Sequence, residues 1–289
     1  MNDQSNSENK PDNIIAFQGE LGAYSHMASK ACFPDMAVLP SASFEDALEA
    51  VQKGRAKLAM IPIENSTAGR VADIHLLLPD SGLHIIAEHF ETIRHCLLAQ
   101  KGVHAELLKA ATSHVQALGQ CRKAIRSRGL EPVAFADTAG AARYVSEQND
   151  PTLAAVSSKL AADIYNLEVI ADDLQDEGHN TTRFVVLSRD PIAVSALDGP
   201  VMTTFTFEVR NIPAALYKAM GGFATNSVNM TKLESYYDSD SFTATEFFAD
   251  IEGHEGMENV ARAMEELRFH SKRVRLLGTY PQERKRGIS

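Results

Sequence analysis

The feature that most limits what this chain can become is the regular exchange of short apolar runs with amphipathic stretches between residues 14 and 190. "IIAFQG", "MAVLP" and "KLAMIPIEN" read as short buried strands. Between the last two, "SFEDALEAVQKG" has the apolar spacing of a helix, with Gly54 as its stop signal. A further helix is expected after "GELGAYS", with Ser25 as its cap. Such alternation calls for a parallel or mixed sheet covered by helices. "GLHIIAEHFETIRHCLLAQ" then reads as one long, two-part strand that crosses into a second lobe. There "LKAATSH" leads into a single helix, "VQALGQCRKAIRSRG", followed by "PVAFAD", "TAGAARYVSEQ", "LAAVSS", "KLAADIYN" and "LEVIAD". Residues 13–190 are thus expected to form two similar α/β lobes, the first over about 13–92 plus 180–190 and the second over about 93–179.

Beyond "SRDPIAVSALDGP" the rhythm changes, and the prolines and glycine there suit a linker over 191–200. The strand "VMTTFTFEV", the helix "IPAALYKAMGGFA", the strands "VNMTKLESYY" and "SFTATEFFADIEG", the helix "MENVARAMEELRFHS" and the strand "RVRLLGTYP" follow. That βαββαβ order is the ferredoxin-like arrangement, expected as a separate module over 201–282. Residues 1–12 are expected to be a disordered tail and 283–289 a second tail.

Composition removes several classes of function. The 289 residues are 44% hydrophobic and 23% charged, ordinary for a globular protein and long enough for two domains with cores. Cys32, Cys96 and Cys121 are widely spaced and odd in number, which suggests neither a disulfide framework nor a zinc site and fits a reducing cytoplasm. Ten histidines show no HExxH or similar spacing, so no metal is expected. No secretory signal and no apolar run of membrane-spanning length is present, so the sequons at Asn65, Asn180 and Asn229 are not expected to carry glycans. A net charge of −10, with no basic stripe, argues against nucleic acid as a partner. An anionic ligand would need positive potential gathered locally.

Four polar clusters fall where a strand hands over to a helix or loop, the edge at which open α/β sheets place ligands. They are "GELGAYS" (19–25), "IPIENSTAGRV" (61–71), "TSHVQAL" (112–118) and "HNTTRF" (179–184). Each has two readings. Gly19 and Gly22 shape either a plain turn or a ligand loop, although the GxGxxG of a dinucleotide site is absent. Asn65, Ser66 and Thr67 make either a hydrogen-bonded turn or a set of ligand donors, and Ser113 either caps a helix starting near His114 or faces a ligand. Thr181 and Thr182 either begin a strand as β-formers or line a cleft. Arg183 is either a fork for a carboxylate or a partner of Glu64 or of an acid in the preceding loop. His114 and His179 titrate near neutrality but rank below Thr182 as catalytic groups.

In this order, "GELGAYS", "PIENSTAG", "SHVQALGQC" and "NTTRF" resemble the prephenate dehydratases, and the C-terminal module resembles an ACT regulatory domain. The resemblance implies a two-lobed, periplasmic-binding-protein-like α/β catalytic domain followed by the ferredoxin-like ACT domain. No helical chorismate mutase segment precedes Ile14, so the stand-alone enzyme is the form expected. The implied reaction, in phenylalanine biosynthesis, removes carbon dioxide and water from prephenate to give phenylpyruvate, with no cofactor. Aromaticity drives it, so neutral donors suffice to fix the substrate and help hydroxide leave. Thr182 is the implied proton or hydrogen-bond donor. Ser25, Asn65, Ser66, Thr67, Gly69, Ser113, Gln116, Thr181, Arg183 and Phe184 are the implied substrate-binding residues, Phe184 having core packing as its other reading. Phenylalanine is the implied effector, at Asn211, Ala215, Leu216, Asn229, Leu233, Glu234 and Ser235, with a homodimer or homotetramer built through ACT domains.

The sequence departs from the family pattern in two places. Val115 stands where proline is frequent, and "KLESYY" keeps Glu234 and Ser235 without the Arg-Pro pair that commonly follows. Two other functions share the architecture: arogenate dehydration, and ligand sensing without catalysis.

Overall fold

The computed structural model describes residues 11–193, 199–237 and 244–286; the expected tail over 1–12, the linker 191–200 and the tail 283–289 therefore lie partly outside the described residues. Two compact units divide the chain, residues 1–74 with 89–184 and residues 75–88 with 185–289.

The first lobe follows the expected alternation: β1 (Ile14–Gln18), α1 (Tyr24–Cys32), β2 (Ala37–Ser41), α2 (Phe44–Gln52), β3 (Leu58–Asn65), the short β4 (Gly69–Arg70), α3 (Ala72–Leu77) and β5 (His84–Thr92). Its sheet has the order β2-β1-β3, with β1 parallel to both neighbours, and is completed beyond β3 by the return strand from the second lobe and then β5. The Ser43 hydroxyl accepts the Asp46 N–H to start α2, and Gly54 (φ +70°) takes up the left-handed turn that stops it. Ser25 does not cap α1. The N-cap is Ala23, which makes no side-chain bond, and Ser25 sits buried in the first turn of the helix.

The second lobe runs β6 (Cys96–Gln100), β7 (Ala110–Ser113), α4 (Val115–Gln120), α5 (Arg122–Ser127), β8 (Glu131–Ala134), α6 (Thr138–Glu147), β9 (Leu153–Ser157), α7 (Lys159–Ile164) and β10 (Leu167–Ala171). The strand β11 (Thr181–Ser188) returns to the first sheet beside β3. The sheet order is β10-β6-β9-β7-β8. Leu97 and Ala99 join the core beneath α4 and α5, whereas Cys96 and Leu98 join the one beneath α6 and α7. Both faces are covered, which is why "CLLA" is apolar without alternation. The single helix expected over "VQALGQCRKAIRSRG" is instead two. The Asp176 N–H donates to the Gln120 carbonyl at 2.6 Å, and the Asp176 carboxylate accepts the Lys123 N–H at 3.1 Å. A distant loop therefore ends one helix at Cys121 and starts the next.

The second unit has the expected βαββαβ order: β12 (Val201–Val209), α8 (Ala215–Thr225), β13 (Met230–Tyr237), β14 (Ala244–Glu252), α9 (Glu258–His270) and β15 (Ser271–Pro281). The antiparallel sheet β13-β14-β12-β15 buries Phe205, Phe207, Phe247 and Ala249 on one face, in a core with Ala219, Phe223 and Leu267 of the helices. Register puts Thr204 opposite Asp250 and Thr206 opposite Phe248 on the other face. Residues 75–88 meet that face: the His75 ring stacks on Phe248 at 4.6 Å and hydrogen-bonds Tyr236, and Glu88 pairs with Arg286. A Cβ on Gly278 would lie 2.1 Å from the Ile85 carbonyl oxygen, so only glycine admits that approach. Among the described residues no helix is long and apolar enough to cross a membrane.

Candidate active site

A cavity of about 230 Å³ in the first unit is lined from both lobes, by Gln18, Tyr24, Ser25 and Asn65 on one side, by Gln116, Gln120 and Thr138 on the other, and by Ile93, His95, Thr182 and Phe184 from the strands between. Three helices begin at this wall: Tyr24 and Ser25 open α1, Gln116 lies in the first turn of α4, and Thr138 opens α6. The N-terminal ends of helices carry partial positive charge and unpaired N–H groups. Among the described residues the lining includes no lysine and no arginine. Those helix ends are where the lining offers N–H groups to an anion.

Thr182 stands at the start of β11, its side chain 8% exposed and facing the cavity. Its hydroxyl accepts a hydrogen bond from Asn65 Nδ2 at 2.9 Å, which leaves the O–H free to donate into the cavity. Thr181 is placed differently: its backbone carbonyl takes the Ser66 N–H at 2.8 Å and its N–H goes to the Ser66 hydroxyl at 2.9 Å, so it ties the 65–70 turn to β11.

Asn65 is saturated by the protein. Its Oδ1 accepts the backbone N–H groups of Thr67 and Ala68 at 3.0 and 2.8 Å and the Thr67 hydroxyl at 2.8 Å, and its Nδ2 serves Asn180 Oδ1 at 2.8 Å as well as Thr182. The hydrogen-bonded-turn reading of Asn65, Ser66 and Thr67 therefore holds, and Ser66 and Thr67 do not line the cavity. Gly69 lies on β4, also away from it. Ser113 neither caps α4 nor reaches the cavity: it is fully buried and donates to the Val156 carbonyl at 2.6 Å, and the cap is His114 Nδ1, which accepts the Gln116 N–H. Val115 is the first residue of α4, a position where proline is equally at home, which explains why that departure is tolerated.

Arg183 points away from the cavity. It is 3% exposed and its Nη1 donates to Glu64 Oε1 at 2.9 Å, the structural member of its two readings. Phe184 lines the cavity while 1% exposed, so packing and site overlap in one ring. His114 lines the cavity and His179 is exposed, its carbonyl accepting from the Ser66 hydroxyl.

Among the residues not singled out from the sequence are Tyr24, His95 and Gln120 of the lining and Asn180 behind it. His95 is buried, and its burial holds the imidazole below its ordinary pKa. Its Nε2 lies 2.9 Å from Gln120 Oε1 and its Nδ1 2.8 Å from the Tyr24 hydroxyl. Burial likewise pushes the Tyr24 phenol well above its usual range. "GQC" and "RHC" carry no signal of this in isolation. Among the described residues no group of three or more His, Cys, Asp or Glu is placed to hold a metal ion.

In the second unit Asn211 lies in the bend between β12 and α8, Ala215 and Leu216 open α8, Asn229 precedes β13 with its amide on Glu252 at 3.1 Å, and Leu233, Glu234 and Ser235 lie on β13.

A family model described as prephenate dehydratase matches residues 15–192. The chain is 47% identical over 270 residues to a Komagataeibacter europaeus protein named bifunctional N-acyl-homoserine lactone acylase/prephenate dehydratase, a match covering 93% of this chain and 96% of that protein. It is 38% identical over 283 residues to arogenate dehydratase 2 of Petunia hybrida, covering 93% of this chain and 72% of the relative. Among solved structures, prephenate dehydratase from Arthrobacter aurescens in complex with L-Phe superposes with a TM-score of 0.84 at 30% identity, over 93% of this chain and 90% of that one. The family model spans both lobes and the cavity between them, and the chain belongs to the prephenate dehydratase family, a family of lyases.

Proposed function

We propose that this chain converts prephenate to phenylpyruvate, with Thr182 donating a hydrogen bond to the ring hydroxyl as it departs. The observation that carries this reading is the Thr182 hydroxyl, which accepts from Asn65 and is thereby aimed, through its own proton, at the cavity. A threonine hydroxyl is a very weak acid, so it acts as a preorganised dipole whose bond strengthens as negative charge builds on the leaving oxygen. The helix starts at Tyr24, Gln116 and Thr138 receive the substrate carboxylates. Ile93, Phe184 and Val71 keep the ring dry. No strong acid is required, because aromatisation supplies the driving force.

The test is turnover of prephenate near neutral pH, followed as phenylpyruvate absorbance in alkali. Thr182→Val should keep the fold and lower kcat by a factor corresponding to about 3–4 kcal/mol, the usual cost of one lost transition-state donor. Thr181→Val should cost much less, because Thr181 works through its backbone. Equal losses in the two variants would refute the assignment.

Arogenate dehydration is the second reading. It draws on the Petunia relative and on Asp137, a carboxylate in the cavity lining, which suits an ammonium and gains nothing from a keto group. Side-by-side turnover of the two substrates decides between them. The C-terminal module is read as an ACT domain that binds phenylalanine, supported by its βαββαβ order and by the relative solved with L-Phe; the same reading makes the protein a cytoplasmic homo-oligomer paired through that module. The catalytic domain is placed at 13–190 and the ACT domain at 201–282.

A further inference from the structure

The hydrogen bonds behind Thr182 close into a ring with one permitted direction. Two backbone N–H groups, of Thr67 and Ala68, fix Asn65 Oδ1 as the acceptor side of that amide. Asn65 Nδ2 must then donate to Asn180 Oδ1 at 2.8 Å, and Asn180 Nδ2 donates to Gln120 Oε1 at 2.9 Å. Gln120 Nε2 donates to Thr67 Oγ1 at 2.8 Å, and the Thr67 hydroxyl returns to Asn65 Oδ1 at 2.8 Å. Reversing any amide would set donor against donor. Gln120 Oε1 is thereby an acceptor, so the His95 Nε2 facing it carries the proton; the Tyr24 hydroxyl lies 2.8 Å from both His95 Nδ1 and the Arg94 carbonyl.

Gln120 is the one ring member that comes from the second lobe, on α4, while Asn65 and Thr67 sit in the first and Asn180 just before β11. Without it, Asn180 loses the acceptor that fixes its amide, and Thr67 loses the donor that turns its own proton toward Asn65. Asn65 Oδ1 stays on its two backbone N–H groups, but Nδ2 then faces an Asn180 amide that can turn over and set donor against donor, which shifts the second Asn65 N–H off Thr182.

We propose that Gln120 is a positioning residue for the reaction: by closing the ring it holds Asn180 Oδ1 as the acceptor opposite Asn65 Nδ2, so that the other Asn65 N–H lies on Thr182 Oγ1 and the Thr182 proton points at the substrate. The proposal rests on the reading of Thr182 as the donor. Gln120 itself need not touch the reacting atoms; its effect is on kcat through the aim of another side chain.

The experiment is a double-mutant cycle on the full chain with prephenate. Gln120→Leu should lower kcat by roughly 30–100-fold with KM changed less than about threefold, the scale of a small misplacement of a catalytic group. In a Thr182→Val background the same substitution should change kcat by less than about twofold, because the group it aims is already gone. If Thr182→Val alone leaves turnover intact, the donor reading fails and the ring has nothing to position. If Thr182→Val is slow but Gln120→Leu lowers kcat equally in both backgrounds, the donor reading stands and the positioning role is overturned. Gln120→Glu provides an arm that does not depend on the leucine variant folding. Its carboxylate keeps the acceptor for Asn180 and His95 but cannot donate to Thr67; its protonated carboxyl can. After subtraction of the uncatalysed reaction, its kcat relative to the parent enzyme should rise as the pH falls toward the carboxyl pKa. A ratio that stays flat with pH would also overturn the proposal.

Discussion

His95 shows how a single buried side chain ties the site to pH. Burial lowers its pKa, and the same cause lowers that of His26, which is stacked on Phe17 at 5.6 Å and accepts the Gly22 N–H. Near the ordinary histidine value the unfolded chain therefore binds more protons than the folded one, and stability rises with pH through that window. Both groups contribute fully above about pH 6.5, and their contribution is lost as the pH falls from there toward the lowered folded values. Urea midpoints should accordingly drop between about pH 7.5 and pH 5.5, and His95→Gln should flatten part of that slope. An unchanged slope would mean that His95 is already charged in the fold. At this scale the sequence was informative where both partners of an interaction stand in motifs that carry the family resemblance. "NTTRF" and "IENST" placed Thr182 and Asn65 together, and they do touch. Arg183 was legible only as a choice between a substrate carboxylate and Glu64, because the direction of a strand side chain depends on register against β3. Gln120, Asn180, His95 and Tyr24 were not legible, since each acquires its role from partners 25 to 115 residues away, none of them singled out as its partner.

At the scale of elements, strand and helix order was readable almost throughout, because apolar periodicity reflects which faces are covered. The exceptions are set by distant contacts. Nothing within "VQALGQCRKAIRSRG" announces a break at Cys121; the Asp176 loop imposes it. The loop "GELGAYS" likewise looked like a turn, and its glycines do have positive φ, but its larger role is to hold the lobes together. Glu20 meets Arg143 of α6 through a pair of bonds at 2.6 and 2.9 Å, which keeps the Glu20 carboxyl below its usual pKa. The Ser158 hydroxyl donates to the Gly22 carbonyl at 2.5 Å, and Tyr165 to that of Leu21 at 2.8 Å. A Cβ on Gly22 would fall 2.8 Å from Ala161 Cα, against the backbone of α7, at a φ of +91°. Gly22→Ala should therefore cost roughly 2–3 kcal/mol, about 1–2 for the left-handed backbone and the rest for pushing α7 away. Chemical unfolding measures it, and a loss below about 0.5 kcal/mol, the level of an ordinary surface change, would show that the two lobes part without cost at this point.

For the whole molecule, the instructive segment is residues 75–88, which lies in the middle of the first lobe by sequence and in the C-terminal unit by contact. The βαββαβ pattern gave the sheet and the helices on one face, but not what covers the other. Tyr236, standing where the family commonly has arginine, is bound to His75, so a departure read as a change in an effector motif is also a packing residue. Leu78, Leu83 and Ile85 are 0, 4 and 1% exposed in the intact chain. Removal of the C-terminal module would return part of these side chains to water, each worth about 1.5–3 kcal/mol when fully buried. Their sum, as an upper bound, is comparable to the roughly 5–15 kcal/mol that stabilises a whole domain. A chain ending at residue 190 should therefore melt well below the full-length protein, bind hydrophobic dyes and self-associate, even though every residue of the cavity is retained. Gly278→Ala in the full chain should move in the same direction, because its methyl would strike the Ile85 backbone. Should the truncated chain bind no dye, show no aggregation and melt within a degree or two of its parent, residues 75–88 would owe their order to the first lobe.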